Sequence, residues 1–106
     1  MRARRVAGAT EIPLGSLKRV VIDDVAICVV RAADGSLYGI DDACTHEGAS
    51  LSDGFLEGCE IECPMHSSMF DLRTGRVVGP PAREDARVYR VIESDGALAV
   101  EIEEQD

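Results

Sequence analysis

The sequence predicts an all-β domain, and three observations lead to this prediction. Turn-forming pairs such as Asp34-Gly35 and Thr74-Gly75 recur along the chain. The segments between these turns are short and rich in β-branched residues, and none has the length or the 3.6-residue period of a helix. The core must be built mainly from Val, Ile, Leu and Ala, since the chain has only two Phe, two Tyr and no Trp. A chain of 106 residues fits one domain, residues 1–106.

Eight runs are expected to form strands, and the turn pairs separate most of them. In order they are 17–22, 25–31, 37–41, 60–62, 69–72, 76–78, 87–93 and 97–102. The run 25–30 is continuously apolar, so we expect burial on both of its faces. The runs 88–92 and 98–102 flank Ser94-Asp95-Gly96, which predicts a hairpin.

The net charge of the chain limits the classes of molecule that it is expected to bind. Eleven Lys and Arg against twenty Asp and Glu give a net charge of -9, which argues against nucleic acid and favours a basic partner. A second interpretation, that acidity only keeps a small protein soluble, is equally open. The segment 1–17 is broken by charged residues, so we expect no signal peptide there. No run approaches the roughly 20 apolar residues of a membrane helix, so we expect a cytoplasmic protein without a membrane anchor.

Two mixed pairs of Cys and His are the main candidates for chemistry. They are Cys44-Thr45-His46 and Cys63-Pro64-Met65-His66, with sixteen residues between them. A Cys-x-His pair cannot place both side chains on one helix face, so the first pair belongs on a loop. Pro64 stiffens the second loop. In a reducing cytoplasm such residues are more often metal ligands than disulfides.

Three interpretations of these four residues remain open at this point. They are unrelated core or surface residues, or a structural zinc site, or ligands of a binuclear iron-sulfur centre. Zinc sites usually pair like ligands, whereas each pair here mixes Cys with His. In the third interpretation Cys44 and Cys63 hold one iron and His46 and His66 hold the other. Two ferric ions, two sulfides and two thiolates then sum to zero charge, so the centre accepts an electron more easily than a four-Cys cluster.

The ligand motifs, together with Phe70-Asp71-Leu72-Arg73-Thr74-Gly75, resemble the Rieske ferredoxins. The segments 49–54 and 80–82 extend the resemblance over nearly the whole chain, and it is closest to the ferredoxin components of bacterial aromatic-ring-hydroxylating dioxygenases. The resemblance implies an antiparallel β-sandwich or barrel with an inserted cluster-binding subdomain at about 41–68. It implies one Rieske 2Fe-2S cluster on Cys44, His46, Cys63 and His66, with both His at an exposed tip. It also implies a flavin reductase as electron donor and a terminal oxygenase as acceptor.

The sequence departs from the respiratory-complex Rieske proteins in two ways. Those proteins brace the ligand loops with a disulfide, but here the matching positions are Ala49 and Met65. They also place Ser and Tyr hydroxyls near the cluster sulfurs, where this chain has Ser68 and Phe70. With one donor left, we expect a potential toward the lower part of the Rieske range of about -150 to +300 mV.

Residues near the motifs have a structural and a functional interpretation. Cys28 is expected to be buried packing, and Cys59 to fill a hairpin edge. Pro80-Pro81 either ends a strand or forms a stiff loop over the cluster. The surrounding acids are a solvated face or a rim that steers a basic partner; they are Glu47, Asp53, Glu57, Glu60 and Glu62.

We therefore expect a monomeric electron carrier, not an enzyme, that serves aromatic hydrocarbon catabolism as a dioxygenase component. No nucleophile with an adjacent base, phosphate loop or substrate pocket is recognisable in the sequence. Two alternatives remain: the small Rieske-like subunit of a nitrite reductase, which often lacks intact ligands, and a zinc-stabilised interaction module.

Overall fold

A computed structural model describes six segments of the chain. These are residues 2–5, 12–44, 49–65, 68–80, 84–94 and 97–102. Of the four predicted ligands, Cys44 and Cys63 lie within these ranges, whereas His46 and His66 lie outside them.

Eleven strands and one short 3₁₀ helix occupy the described residues. They are β1 (Arg2–Arg5), β2 (Ser16–Ile22), β3 (Val25–Arg31), β4 (Leu37–Asp41), the 3₁₀ helix (Leu51–Asp53), β5 (Phe55–Glu57), β6 (Glu60–Glu62), β7 (Met69–Asp71), β8 (Val77–Gly79), β9 (Val88–Tyr89), β10 (Val91–Ser94) and β11 (Ala97–Ile102). The prediction of an all-β fold is confirmed. No helix in the described ranges is long and apolar enough to cross a membrane.

The strands form three antiparallel sheets. The outer sheet has the order β1-β11-β10, the central sheet β2-β3-β4-β9, and the loop-bearing sheet β5-β6-β7-β8. Neighbouring strands in all three sheets pair antiparallel, with one irregularity where β7 meets β8.

Within the central sheet, β3 lies between two cores because its side chains alternate between the two faces of the sheet. Ile27 and Val29 point to a core shared with Leu98 and Val100 of the outer sheet. Cys28 and Val30 point the other way, to a core shared with residues of the loop-bearing sheet and its loops. The side chains of that second core on the far side include Leu51, Ile61, Phe70 and Leu72. The expected burial on both faces therefore holds for residues 27–30, whereas Val25 and Ala26 are half-buried.

Tight turns join the strands where the sequence contains acids and glycines. Asp23 and Asp24 both have positive φ, 50° and 67°, and Ile22 pairs with Val25 across them. Two positive φ values between paired strands match a two-residue type I′ turn, which Asp tolerates better than most residues. Gly58 has a φ of 60° in the corresponding turn between β5 and β6.

The predicted runs 25–31, 37–41, 60–62 and 97–102 match β3, β4, β6 and β11 at both ends. The run 87–93 is not one strand, however, because Val88–Tyr89 pairs with β4 and Val91–Ser94 pairs with β11. The expected hairpin is thus formed by β10 and β11, while β9 belongs to the central sheet. The turn residues of this β10–β11 hairpin, Asp95 and Gly96, lie outside the described ranges.

Candidate metal centre

The two predicted ligand motifs begin loops that close in the same way. The backbone N–H of Cys44 donates to the carbonyl of Ala49 at 2.7 Å, and that of Cys63 donates to the carbonyl of Ser68 at 2.7 Å. Each hydrogen bond spans five residues, so each Cys stands at the closed base of a six-residue loop. Two loops with the same closing hydrogen bond, each beginning with a Cys, are suited to hold one metal centre between them.

Different elements support the two loops. The second loop connects β6 to β7, and the pair Glu62 and Met69 belongs to the ladder directly beneath it. The first loop follows β4, and at its base only the single bridge between Ala43 and Ser50 continues a β pairing. The second loop is therefore the end of a hairpin, whereas the first needs other support.

Both candidate thiols lie in one apolar core. Cys44 is 3% exposed and Cys63 is 1% exposed, and both pack in the core that contains Leu51, Ile61 and Phe70. All four cysteines of the chain are outside disulfides. Two buried thiols at neighbouring loop bases fit one iron of an iron-sulfur centre, because soft thiolates are the ligands that such clusters take. In the described ranges no three His, Cys, Asp or Glu side chains gather as a metal site.

Cys28 and Cys59 occupy different surroundings. Burial and then the negative charge of Asp42 raise the pKa of Cys28 to about 12, so this thiol stays protonated at neutral pH. The predicted packing role of Cys28 agrees with its complete burial in β3. Cys59 lies half-buried in the turn between β5 and β6, with its sulfur 4.0 Å from the Tyr38 hydroxyl.

Asp42, which is not among the residues predicted for the site, organises the base of the first loop. Its side chain is buried and accepts hydrogen bonds from the Ser50 hydroxyl, the Ser52 backbone N–H at 2.8 Å and Arg19 Nε at 3.2 Å. Burial alone would raise the pKa of Asp42, but these donors outweigh it and hold the pKa below its usual range. An acid directly between a buried strand and a candidate ligand, with Ser eight residues on, is the signal that could have identified it.

The segment that contains Pro80 is closed at its base by two hydrogen bonds. The Gly75 carbonyl accepts a hydrogen bond from Ala86 N–H at 2.8 Å, and Val77 N–H donates to the Asp85 carboxylate at 3.0 Å. These bonds join Asp85 and Ala86, at the far end of this segment, to β8 and the turn before it. A Cβ on Gly75 would lie 2.0 Å from the Ala86 carbonyl oxygen, and one on Gly54 would lie 1.9 Å from that of Glu62. Pro81 lies outside the described ranges, so the predicted stiff loop stays a prediction.

The outward face of the loop-bearing sheet combines apolar and acidic side chains. Phe55, Glu62 and Met69 form the row nearest the second loop, since they pair across β5, β6 and β7. Glu57, Glu60 and Asp71 form the next row of the same face. Phe55 is 62% exposed, and Met65 in the second loop is 49% exposed. Of the predicted acidic rim, Glu57, Glu60 and Glu62 thus share one surface, while Glu47 lies outside the described ranges.

Known proteins share both the sequence pattern and the fold. The family described as the Rieske [2Fe-2S] domain matches residues 3–90. The ferredoxin component of a naphthalene 1,2-dioxygenase system of Pseudomonas aeruginosa is 41% identical over 81 residues, which cover 76% of this chain and 77% of that protein.

Two solved structures extend the likeness to almost the whole chain. The ferredoxin of carbazole 1,9a-dioxygenase from Nocardioides aromaticivorans IC177 has a TM-score of 0.85 at 32% identity, covering 94% of this chain and 97% of that one. A chain from the complex of reduced oxygenase and oxidized ferredoxin in carbazole 1,9a-dioxygenase has a TM-score of 0.82 at 34% identity. That match covers 92% of this chain and 99% of the other.

Proposed function

The chain belongs to the Rieske [2Fe-2S] domain family, and from this premise we propose that Cys44 and Cys63 hold one iron of its cluster and that His46 and His66 hold the other. The observation that carries the proposal is the matched pair of loops, each opened by a buried Cys and closed five residues later. A bound 2Fe-2S cluster supplies a site that accepts and releases a single electron.

The protein is the ferredoxin component of a dioxygenase system, an electron carrier and not a catalytic subunit. Its own residues contribute in three ways. The core around Cys44 and Cys63 excludes water from the thiolate side. The closed loop bases keep the ligands in place. The exposed Met65, next to His66 in sequence, leaves the second loop accessible to a partner.

A terminal oxygenase of the ring-hydroxylating class is the electron acceptor in this proposal, and a flavin reductase is the donor. Support for the acceptor is the similar ferredoxin that was solved together with an oxygenase. We also propose a soluble, cytoplasmic monomer with a cluster-binding subdomain at about 41–68. The aromatic substrate is selected by the oxygenase and not by this chain.

Reconstitution tests the role directly. The purified chain is mixed with a reductase and a ring-hydroxylating oxygenase, and hydroxylated product is measured with the chain present, absent or replaced by Cys63→Ser. We expect product only with the wild-type chain. Equal product formation with Cys63→Ser would refute electron transfer through the proposed centre.

The acidic side of the loop-bearing sheet favours a basic partner surface. Glu57, Glu60 and Glu62 share a face with the exposed Phe55, and the chain carries a net charge of -9. Opposite charges accelerate encounter and are screened over roughly 10 Å at ordinary salt. Electron-transfer rates should therefore fall as salt rises, and rates that ignore salt would show that this face does no steering.

A further inference from the structure

The first ligand loop has a supporting side chain of a kind that the second loop does not need. The second loop ends a hairpin whose ladder reaches Glu62 and Met69, directly beneath Cys63 and Ser68. Beneath the first loop the β pairing consists of the single bridge between Ala43 and Ser50. Without further contacts, the chain returning from this loop would be tied to the outgoing chain by very few hydrogen bonds.

Asp42 provides those contacts from both its backbone and its side chain. Its carbonyl accepts the N–H of Leu51 at 2.6 Å, and its carboxylate accepts the Ser50 hydroxyl and the Ser52 N–H. All three donors belong to the chain segment that returns from the loop. The Asp42 N–H in turn donates to Ala26 of β3 at 3.0 Å, so the loop base is anchored to the central sheet.

Arg19, on β2 of the central sheet, is a further partner of the Asp42 carboxylate. Arg19 pairs with Cys28 on the face of the central sheet that meets the loop-bearing sheet, and its Nε lies 3.2 Å from the Asp42 carboxylate. The Asp42 side chain is 3% exposed, whereas that of Arg19 is 54% exposed. The buried carboxylate is thus compensated by two uncharged donors and one partly exposed cation.

We propose that Asp42 is a positioning residue for the cluster: it holds the Cys44 loop to the central sheet in place of an inter-loop disulfide, and its buried negative charge disfavours the reduced cluster. This inference rests on the proposed function. The absence of a disulfide follows from four free cysteines, with Ala49 and Met65 at the positions that would need Cys. The electrostatic part follows because an added electron meets a fixed negative charge near Cys44.

The main test compares Asp42→Asn with Asp34→Asn in the cluster-loaded protein. Both changes remove one negative charge from a carboxylate that accepts a backbone N–H. The donor to Asp34 is Ser36, and the donor to Asp42 is Ser52. Asp34, however, lies in the exposed turn between β3 and β4. The rate of cluster loss to a chelator should rise by roughly 10- to 100-fold in Asp42→Asn and stay unchanged in Asp34→Asn. The midpoint potential should rise in Asp42→Asn alone.

Milder variants keep the test decisive if Asp42→Asn does not fold. Ser50→Ala removes the hydroxyl donor to Asp42 without changing the charge, and it should accelerate cluster loss. Ser50→Thr keeps a hydroxyl at this position and should lose the cluster at the wild-type rate. Arg19→Gln removes the cation and should lower the potential, opposite to Asp42→Asn.

The result that overturns the inference is a set of Asp42, Ser50 and Arg19 variants with the cluster-loss rate and potential of Asp34→Asn. Faster cluster loss with an unchanged potential would overturn the electrostatic part. If the wild-type chain binds no cluster, the proposed function itself fails, and the two failures are thereby distinguished.

Discussion

The backbone N–H of Cys63 donates a 2.7 Å hydrogen bond to the carbonyl of Ser68, which places a completely buried Ser beside a ligand of the proposed cluster. Hydroxyl donors next to cluster sulfurs stabilise the reduced state, since they offset its added negative charge.

Replacement of Ser68 by Ala should therefore lower the midpoint potential. Loss of one hydrogen bond worth about 1.4 kcal/mol corresponds to about 60 mV for a one-electron couple. A potentiometric titration followed by electron paramagnetic resonance measures the change. Ser36→Ala, in the distant turn between β3 and β4, serves as control. An unchanged potential in Ser68→Ala would mean that this hydroxyl does not act on the cluster.

Replacement of single cysteines should separate ligands from packing. Cys44→Ser and Cys63→Ser should yield protein without the visible absorption of the cluster. Cys59→Ser should retain it, because Cys59 lies in the turn between β5 and β6. Cys28→Ala should also retain it while losing about 1 kcal/mol of unfolding free energy, since a small cavity forms in β3. A colourless Cys28 or Cys59 variant that still folds would contradict the proposed ligand set.

Two glycine substitutions should differ in cost although both residues have positive φ. Gly75 has a φ of 79° and Gly58 a φ of 60°. A Cβ on Gly75 meets the Ala86 carbonyl, whereas a Cβ on Gly58 has nothing within 4 Å. Gly75→Ala should cost about 3 kcal/mol, through conformational strain and displacement of the segment at Ala86, and Gly58→Ala only about 1 kcal/mol. Urea unfolding measures both, and equal costs would refute the close packing at Gly75.

Tyr89 should make the fold sensitive to alkaline pH. Burial and the hydrogen bond to Asp41, 2.5 Å long, raise the pKa of Tyr89 to about 12. Because the folded pKa lies above the usual value of about 10, the neutral phenol stabilises the fold fully below pH 10. That contribution is lost as pH rises from about 10 to 12.

The variant Tyr89→Phe should lose about 2 kcal/mol at neutral pH, the value of a hydrogen bond to a charged group. The difference from wild type should then shrink above pH 10, because the variant has no phenol to ionise. Urea unfolding at a series of pH values checks this, and a difference that stays constant with pH would contradict the role of Tyr89.

Much of the fold was predictable because the local signals and the tertiary structure agree. The bounds of β3 follow from a continuous apolar run between Asp23-Asp24 and Asp34-Gly35. By contrast, β1 has the sequence Arg-Ala-Arg-Arg and forms only through its pairing with β11, which no local pattern signals. The strand β5 is not among the predicted runs, and it forms by pairing with β6. The division at Arg90 depends on which sheet each half joins.

The part of the candidate site that lies in the two Cys and His motifs was predictable from the sequence. The spacing of Cys44 and Cys63 relative to the turns indicated two loops, and the structure places both thiols in one core. The sequence offers one local signal for Asp42, an acid between a strand and a candidate ligand, but this signal alone does not define its role because Arg19 and Ser50 are 23 and 8 residues away. Buried polar contacts of this kind depend on how sheets pack, and an acid next to a ligand motif is ambiguous until that packing is known.

The most direct test of mixed Cys and His coordination uses the two histidines of the chain, His46 and His66. Protein grown with ¹⁵N-histidine, purified without air and reduced, is measured by electron-nuclear double resonance together with iron and sulfide analysis. The account predicts roughly two irons and two acid-labile sulfides per chain, with ¹⁵N coupling from both histidines. A colourless zinc protein, or a brown protein with no ¹⁵N coupling, would contradict it.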